Sequence, residues 1–404
     1  MISTGVHGLG LAIRLLFVMV LVRQSSPAVL GYVGLLIAIE MISIYFAGFE
    51  LHTFSTRRYA RHACPSQLRI CFGAHLRIFR FSAPLAALVA MGSAWVFDVE
   101  LEALGFACFA VIAATGTVTQ EVNRYLVLMH KPVRSVVMSF LRTAAWMPVV
   151  IPLIGAEAES LRAILIAWML ASLLAMSWGL HAVRSALSRH LRMRTRYVLY
   201  ALRRSFSYYA VATASVVQAN VERFVLQVML GPTAVGIYSL FLTLANTLTA
   251  LIQAGVLNIF LPRLLVGYGG LQPDRRAFLD EAMKRALVIC LIMSVAILAM
   301  AVPIVQLTRH ADYLSYFWVL PALLAGQTIL MWTQPVHLAL YGAHHDYLLL
   351  GITLSALVVS LAVSAALIGL AGIAGAAVAP VFVSIAIAYV RWRSFRRLEA
   401  SGLA

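Results

Sequence analysis

The chain has 404 residues, of which 62% are hydrophobic and only 11% charged; soluble domains run at roughly 25% charged and 45–50% apolar. Its apolar residues come in blocks of about 18–25, the length that crosses a bilayer as helix, and not in the roughly ten-residue alternation of an outer-membrane barrel. The net charge of +16 lies in short segments between those blocks, a pattern that serves membrane topology and anionic headgroups and argues against a nucleic-acid partner.

In chain order, the first apolar block, near residues 5–22, is interrupted by Arg14 and is followed by no small-x-small cleavage site. It reads as a retained helix and not as a signal peptide. Further spans are expected near 29–50, 79–97, 103–123, 135–154 and 161–180, and then near 206–229, 237–261, 286–306, 314–340, 348–368 and 374–390. The fold class is therefore all-α, a polytopic membrane protein of about twelve transmembrane helices in two six-helix lobes. Expected boundaries are an N-terminal lobe over 1–180, a basic amphipathic connector over 181–205, a C-terminal lobe over 206–390 and a basic tail over 391–404. Cys64, Cys71, Cys108 and Cys290 are too scattered for a disulfide framework, and the gap between Cys64 and Cys71, beside His62 and His75, fits no common zinc spacing. They read as free thiols, and neither a metal nor a cofactor is expected.

Charge sets the orientation. The even-numbered loops carry most of the 31 Lys and Arg residues, among them Arg57, Arg58 and Arg61, then Arg124, Lys131 and Arg134, then Arg189 to Arg204, then Arg263, Arg275 and Arg276. The tail adds Arg391, Arg393, Arg396 and Arg397. The odd-numbered loops are short and mostly acidic, with Asp98, Glu100, Glu102, Glu157, Glu159 and Asp312. By the positive-inside rule both termini are cytoplasmic. An internal repeat agrees with this layout. SPAVLGY (Ser26 to Tyr32) and GPTAVGIY (Gly231 to Tyr238) occupy the first external loop of each half, and Pro27, Gly31 and Arg58 match Pro232, Gly236 and Arg263 at one fixed offset. Gly48 and Gly255 fall two residues out of that register. Two equally oriented copies make a parallel-repeat transporter plan.

Ionisable side chains at membrane depth face a bundle interior or a wet cavity. Arg14 sits mid-way along the first span, on the face of His7. Glu40, Ser43, Ala47 and Glu50 share a stripe in the second span; Ser135, Ser139, Arg142 and Trp146 share one in the fifth. The seventh aligns Tyr209, Thr213, Asn220, Arg223 and Gln227, the eighth Thr243, Asn246 and Gln253, and the tenth Gln327 and Gln334. Adjacent helical residues point about 100° apart, so Glu222 and Arg223 are not expected to pair with each other. Two readings stay open for these stripes: interhelical hydrogen bonds that hold the bundle together, or the lining of a substrate cavity. For Arg14, Arg142 and Arg223 the cavity is the better reading, because a buried arginine needs an anion.

The run NVERFVLQVMLGPTAVGIYSL, with LANTL and PRL after it, resembles the seventh-to-eighth helix region of Wzx-type polysaccharide flippases, in the multidrug/oligosaccharidyl-lipid/polysaccharide exporter superfamily. Glu222 and Arg223 stand where that family has Asp-Arg, and Gly231, Gly236 and Tyr238 match the rest of its pattern. The resemblance implies an alternating-access, non-enzymatic exporter of undecaprenyl-diphosphate-linked oligosaccharide units across the bacterial inner membrane, serving exopolysaccharide or O-antigen synthesis. It implies a diphosphate-facing set of Arg14, Arg142, Arg223, Asn220, Asn246 and Gln253. Coupling to H+ or Na+ would fall to Glu40, Glu222 or Glu121, and membrane lipids and polysaccharide polymerase machinery are the partners it suggests. The alternatives are an ion-coupled drug or cation antiporter of the MATE type and a membrane polysaccharide polymerase or ligase. No GxxxxGK[ST] supports an ATP-driven pump and no Asp-x-Asp pair a glycosyltransferase. The short external loops leave little room for a polymerase's catalytic groups. His344 to Asp346 reads as a solvated turn and not as a metal site.

Overall fold

A computed structural model describes residues 2–50, 52–53, 65–129, 131–155, 157–184, 195–253, 275–308, 311–343 and 345–400. These form helices and the short turns between them. Contacts divide the chain into two compact units, Met1–Val216 and Val217–Ala404. Among the described residues, nine helices are long and apolar enough to cross a membrane. The chain is a polytopic, all-helical membrane protein.

The first unit opens with α1 (Ile2–Gln24) and α2 (Pro27–Gly48). Ser26 is extended and Pro27 begins α2, where a proline's missing N–H costs nothing and its φ is already helical. Phe49 and Glu50 then turn left-handed, at φ 54 and 46, and stop the helix. α3 (Pro65–Val96), α4 (Ala103–Leu128), α5 (Pro132–Thr143), the one-turn α6 (Met147–Val150) and α7 (Glu157–Val183) follow, and α8 (Thr195–Gln218) runs to the boundary after Val216 and two residues past it. Close approach of α5 and α7 requires a glycine: a Cβ at Gly179 would run into Met138 Sδ. Around that crossing Phe72, Val122, Tyr125, Leu126 and Met138 pack as one core, with the Phe72 and Tyr125 rings edge-on at 4.5 Å.

The second unit begins with α9 (Val221–Ile252), bent at Gly231. It continues through α10 (Arg275–Gln306), α11 (Ala311–Ser315), α12 (Val319–Trp332), α13 (Gln334–Gly342), α14 (Asp346–Ala371) and α15 (Ile373–Ala400). Gly372, at φ 60, turns α14 into α15, and a Cβ on Gly375 would overlap the backbone of Leu367. The hairpin therefore closes backbone against backbone. The repeat seen in the sequence has a structural counterpart: Pro27 and Pro232 each open a helical segment, with Gly31 and Gly236 buried one turn later.

Several sequence expectations are corrected. The expected seventh span, 206–229, is two helices, because the chain turns at Ala219–Asn220 and the Asn220 carbonyl accepts the Arg223 N–H at 3.1 Å. Tyr209 and Thr213 thus belong to α8, while Arg223 and Gln227 belong to α9, and the stripe is not one helix face. The fifth span breaks at residues 144–146 and the tenth at Thr333, a turn or less before Pro148 and Pro335. Trp146 consequently leaves the Arg142 stripe to stack on Trp168 at 5.6 Å and meet Phe17 edge-on at 5.1 Å. Arg124 is no loop residue, since α4 runs on to Leu128; likewise the helix ending in Arg391 to Arg397 continues to Ala400. Arg58, Arg263, Gly255, Cys64, His344, residues 185–194 of the connector and the side chains of His7 and Cys71 lie outside the described residues.

Candidate functional site

In the first unit α1, α2, α4 and α5 bring Arg14, Glu40 and Arg142 together. Arg142 Nη1 donates to the carbonyl of Gly116 at 3.0 Å and to Thr119 Oγ1 at 3.2 Å. The Thr119 hydroxyl donates in turn to the Thr115 and Gly116 carbonyls. Gly116 makes the space that lets Glu40 lie against α4: a Cβ there would meet Glu40 Oε1 at 3.1 Å and Ile44 Cδ1 at 2.7 Å. Glu40 is 5% exposed, and its Oε1 has no hydrogen-bond partner among the described residues. The positive charges of Arg142 and Arg14 both act on it. Arg14 itself forms neither a hydrogen bond nor an ion pair with the described residues, although it lies in the fields of Arg142 and Glu40. Two guanidinium groups against one carboxylate leave this cluster with a surplus positive charge at membrane depth, the kind of environment in which guanidinium groups pair with anions.

Glu50 and Glu121 do not join it. Arg124 bridges them, with Nη2 to Glu50 Oε1 at 2.7 Å and Nη1 to Glu121 Oε1 at 2.5 Å. His52 Nδ1 lies 3.2 Å from Glu50 Oε2, Thr53 Oγ1 donates to the same oxygen at 3.0 Å, and Arg124 sits over the Tyr45 ring at 5.6 Å. This network ties the end of α2 to α4. Its acids are shared with a cation already, so it is built as a clasp. Asn123 adds a second clasp, donating to Ser139 Oγ at 3.1 Å and accepting from Ser135.

In the second unit Glu222 and Arg223 are 5% and 7% exposed and make separate hydrogen bonds. Ser364 Oγ of α14 donates to Glu222 Oε1 at 3.1 Å; Arg223 Nη1 donates to Asn220 Oδ1 at 2.8 Å, while Arg223 Nε has no hydrogen-bond partner among the described residues. The buried Tyr238 hydroxyl lies in the fields of both charges. Asn246 belongs to a different set: Gln327 Nε2 donates to its Oδ1 at 3.4 Å, and Thr249 Oγ1 donates to Gln327 Oε1 at 2.8 Å. Gln253 is exposed at the last described turn of α9 and joins neither set.

The structure thus brings together Arg14, Glu40 and Arg142, three of the residues singled out from the sequence, and gives Glu222 and Arg223 separate hydrogen-bond partners. The sequence reading did not single out Gly116, Thr119, Ser364 or the bridging role of Arg124. For Arg124 a signal existed, since Glu121 lies one helical turn before it. Nothing in the sequence singles out Ser364 from Ser355 and Ser360 of the same helix.

No family model matches the sequence, and no curated relative matches it. Solved structures do. A multidrug resistance MATE family transporter of the MOP superfamily, inward-facing, superposes with a TM-score of 0.73 at 13% identity, covering 97% of this chain and 94% of that one. The lipid II flippase MurJ, in an inward closed conformation, gives 0.76 at 11% identity over 98% and 87% of the two chains. An outward-facing MATE structure gives 0.54 at 16% identity over 100% and 94%. The chain has the fold shared by MATE transporters and MurJ.

Proposed function

We propose that this protein is an alternating-access flippase that carries undecaprenyl-diphosphate-linked oligosaccharide from the cytoplasmic to the periplasmic leaflet of the bacterial inner membrane. The observation that carries the reading is the surplus positive charge where Arg14 and Arg142 meet around Glu40 and Gly116. A diphosphate brings two negative charges and a row of acceptor oxygens, and guanidinium groups answer both with paired N–H donors. Arg142 is preset by the Gly116 carbonyl and Thr119, whereas Arg14 retains its donors for the ligand. The lipid tail stays in the bilayer while the headgroup crosses. Arg223 offers a third guanidinium within its own unit, and Asn220, which it holds, adds a polar group. Asn246 enters through its bond with Gln327, and Gln253 remains a candidate from the sequence.

Glu40 and Glu222 are the acids suited to coupling transport to H+ or Na+, since both are buried and neither forms an ion pair with an arginine among the described residues. Glu121 is less suited because Arg124 already neutralises it. Similarity to MurJ, a lipid II flippase, supports a lipid-linked cargo, and polymerase machinery would receive the product. A second reading, an ion-coupled drug or cation antiporter, is favoured by the two MATE neighbours and by these same buried acids.

One experiment separates them. In a strain lacking its own flippase, the wild type restores surface glycan, and Arg14→Glu, Arg142→Glu and Arg223→Glu do not, although each is present in the membrane. Restoration by all three variants overturns the diphosphate reading. Efflux of a cationic dye that survives all three substitutions establishes the antiporter instead.

A further inference from the structure

At the far end of the second unit lies a basic cluster that the transport reading does not use. Gln334 and His337 stand one turn apart on the same face of α13, and Arg391 faces them from α15. Arg391 Nη1 donates to Gln334 Oε1 at 3.2 Å, its Nε has no hydrogen-bond partner, and its charge acts on His337. Among the described residues no carboxylate pairs with Arg391. Exposed arginines nearby do find acids, as Arg276 finds Glu399 at 3.1 Å and Arg285 finds Glu281 at 2.5 Å. Arg391 is instead a half-buried arginine that faces a histidine and no acid, an arrangement suited to an anion.

Its depth says which anion. α12 and α15 touch where Gly326 meets the backbone of Pro380, at 3.4 Å from an ideal Cβ. Arg391 lies about 16 Å further along α15, at 1.5 Å per residue, and meets Gln334 of α13 there, past the break at Thr333. Counted from Ile373, Arg391 is about 27 Å along α15, close to the roughly 30 Å of a bilayer's hydrocarbon core. The cluster therefore sits at headgroup level, on the side that the basic loops assign to the cytoplasm. Trp392, with the Arg396 guanidinium 5.3 Å over its ring, marks the same interface. Basic pockets between helices at this level bind lipid phosphates.

We propose that Gln334, His337 and Arg391 form a phosphate site between α13 and α15, occupied by the phosphodiester of an anionic lipid headgroup in the cytoplasmic leaflet. Arg391 supplies the fork and the imidazole a further donor, while Gln334 holds the fork in place. The site is independent of what the protein carries.

Lipid adducts on the detergent-purified protein, counted by native mass spectrometry, test it with phosphatidylglycerol as probe and phosphatidylcholine as reference. Apparent affinity for phosphatidylglycerol falls about tenfold in Arg391→Gln and in His337→Gln, the loss of one charge-assisted hydrogen bond, and is unchanged in the exposed control Arg397→Gln. Arg391→Lys keeps the charge without the fork and gives an intermediate value, which serves if Arg391→Gln elutes as aggregate. Adding millimolar inorganic diphosphate distinguishes the sources: displacement of the lipid means that a free phosphate also occupies the site, and no displacement means that only the headgroup does. Equal adducts in all variants, or an equal loss in Arg397→Gln, overturn the proposal.

Discussion

Arg124 holds Glu50 at 2.7 Å and Glu121 at 2.5 Å where those side chains are only 7% and 3% exposed. Removing the cation leaves two carboxylates with nowhere to discharge, a change that costs about 3–5 kcal/mol when a buried ion pair loses one partner. Arg124→Met is therefore expected to lower the unfolding temperature of the detergent-purified protein, followed by tryptophan fluorescence, and Glu121→Gln added to it restores part of the loss. An unfolding temperature equal to wild type would show the network to be incidental. Gly116 makes the opposite kind of point. Its Cβ would press on Ile44 and Glu40, so Gly116→Ala costs about 1–3 kcal/mol as overpacking and displaces Glu40 within the field of the two arginines. Export should fall much further than stability, read as surface glycan against protein abundance; intact export would mean that the placement of Glu40 is unimportant. The charged members of this site were legible in the sequence because charge is conspicuous among hydrocarbon. Gly116 and Thr119 were not, because they matter only through the helix that comes to lie against them.

At the scale of elements, hydropathy located the helices but not their interruptions. Pro148 and Pro335 restart helices within the fifth and tenth spans, yet Pro84, Pro303 and Pro380 sit inside helices that continue through them. A proline thus marks where a break is affordable, and packing decides whether it occurs. The turn at Asn220 carries no such mark at all. Glycines are more decisive. Gly231 holds φ 79 and ψ −177, a region essentially closed to residues with a side chain, so Gly231→Ala is expected to destabilise by about 1–3 kcal/mol even though its Cβ would meet nothing. Gly375→Ala must force α14 and α15 apart, because the obstruction is the Leu367 backbone. Gly351→Ala, with open space around it, serves as the contrast and should be neutral or stabilising by about 0.5–1 kcal/mol from helix propensity. Thermal unfolding of the three variants ranks them, and a harmless Gly375→Ala would contradict the close hairpin.

For the whole molecule, one bias does most of the organising: Lys and Arg near the ends of the spans set the orientation, and acids contribute little to it. The short acidic turns hold Glu100 and Asp312, both exposed, while exposed Arg393, Arg396 and Arg397 end the last helix. The fold of the solved neighbours is reached here with 11–16% identity, so it does not depend on a shared set of side chains. The alternation of charge makes a definite prediction about direction. With Cys64 and Cys71 replaced by serine, and Cys108 and Cys290 buried, single cysteines at Glu100, Asp312 and Arg396 report the two faces separately. A membrane-impermeant maleimide should label Glu100→Cys and Asp312→Cys in intact spheroplasts, and Arg396→Cys only after the membrane is opened. Labelling of Arg396→Cys from outside would invert the orientation, and with it the leaflet to which the Gln334, His337 and Arg391 site is assigned.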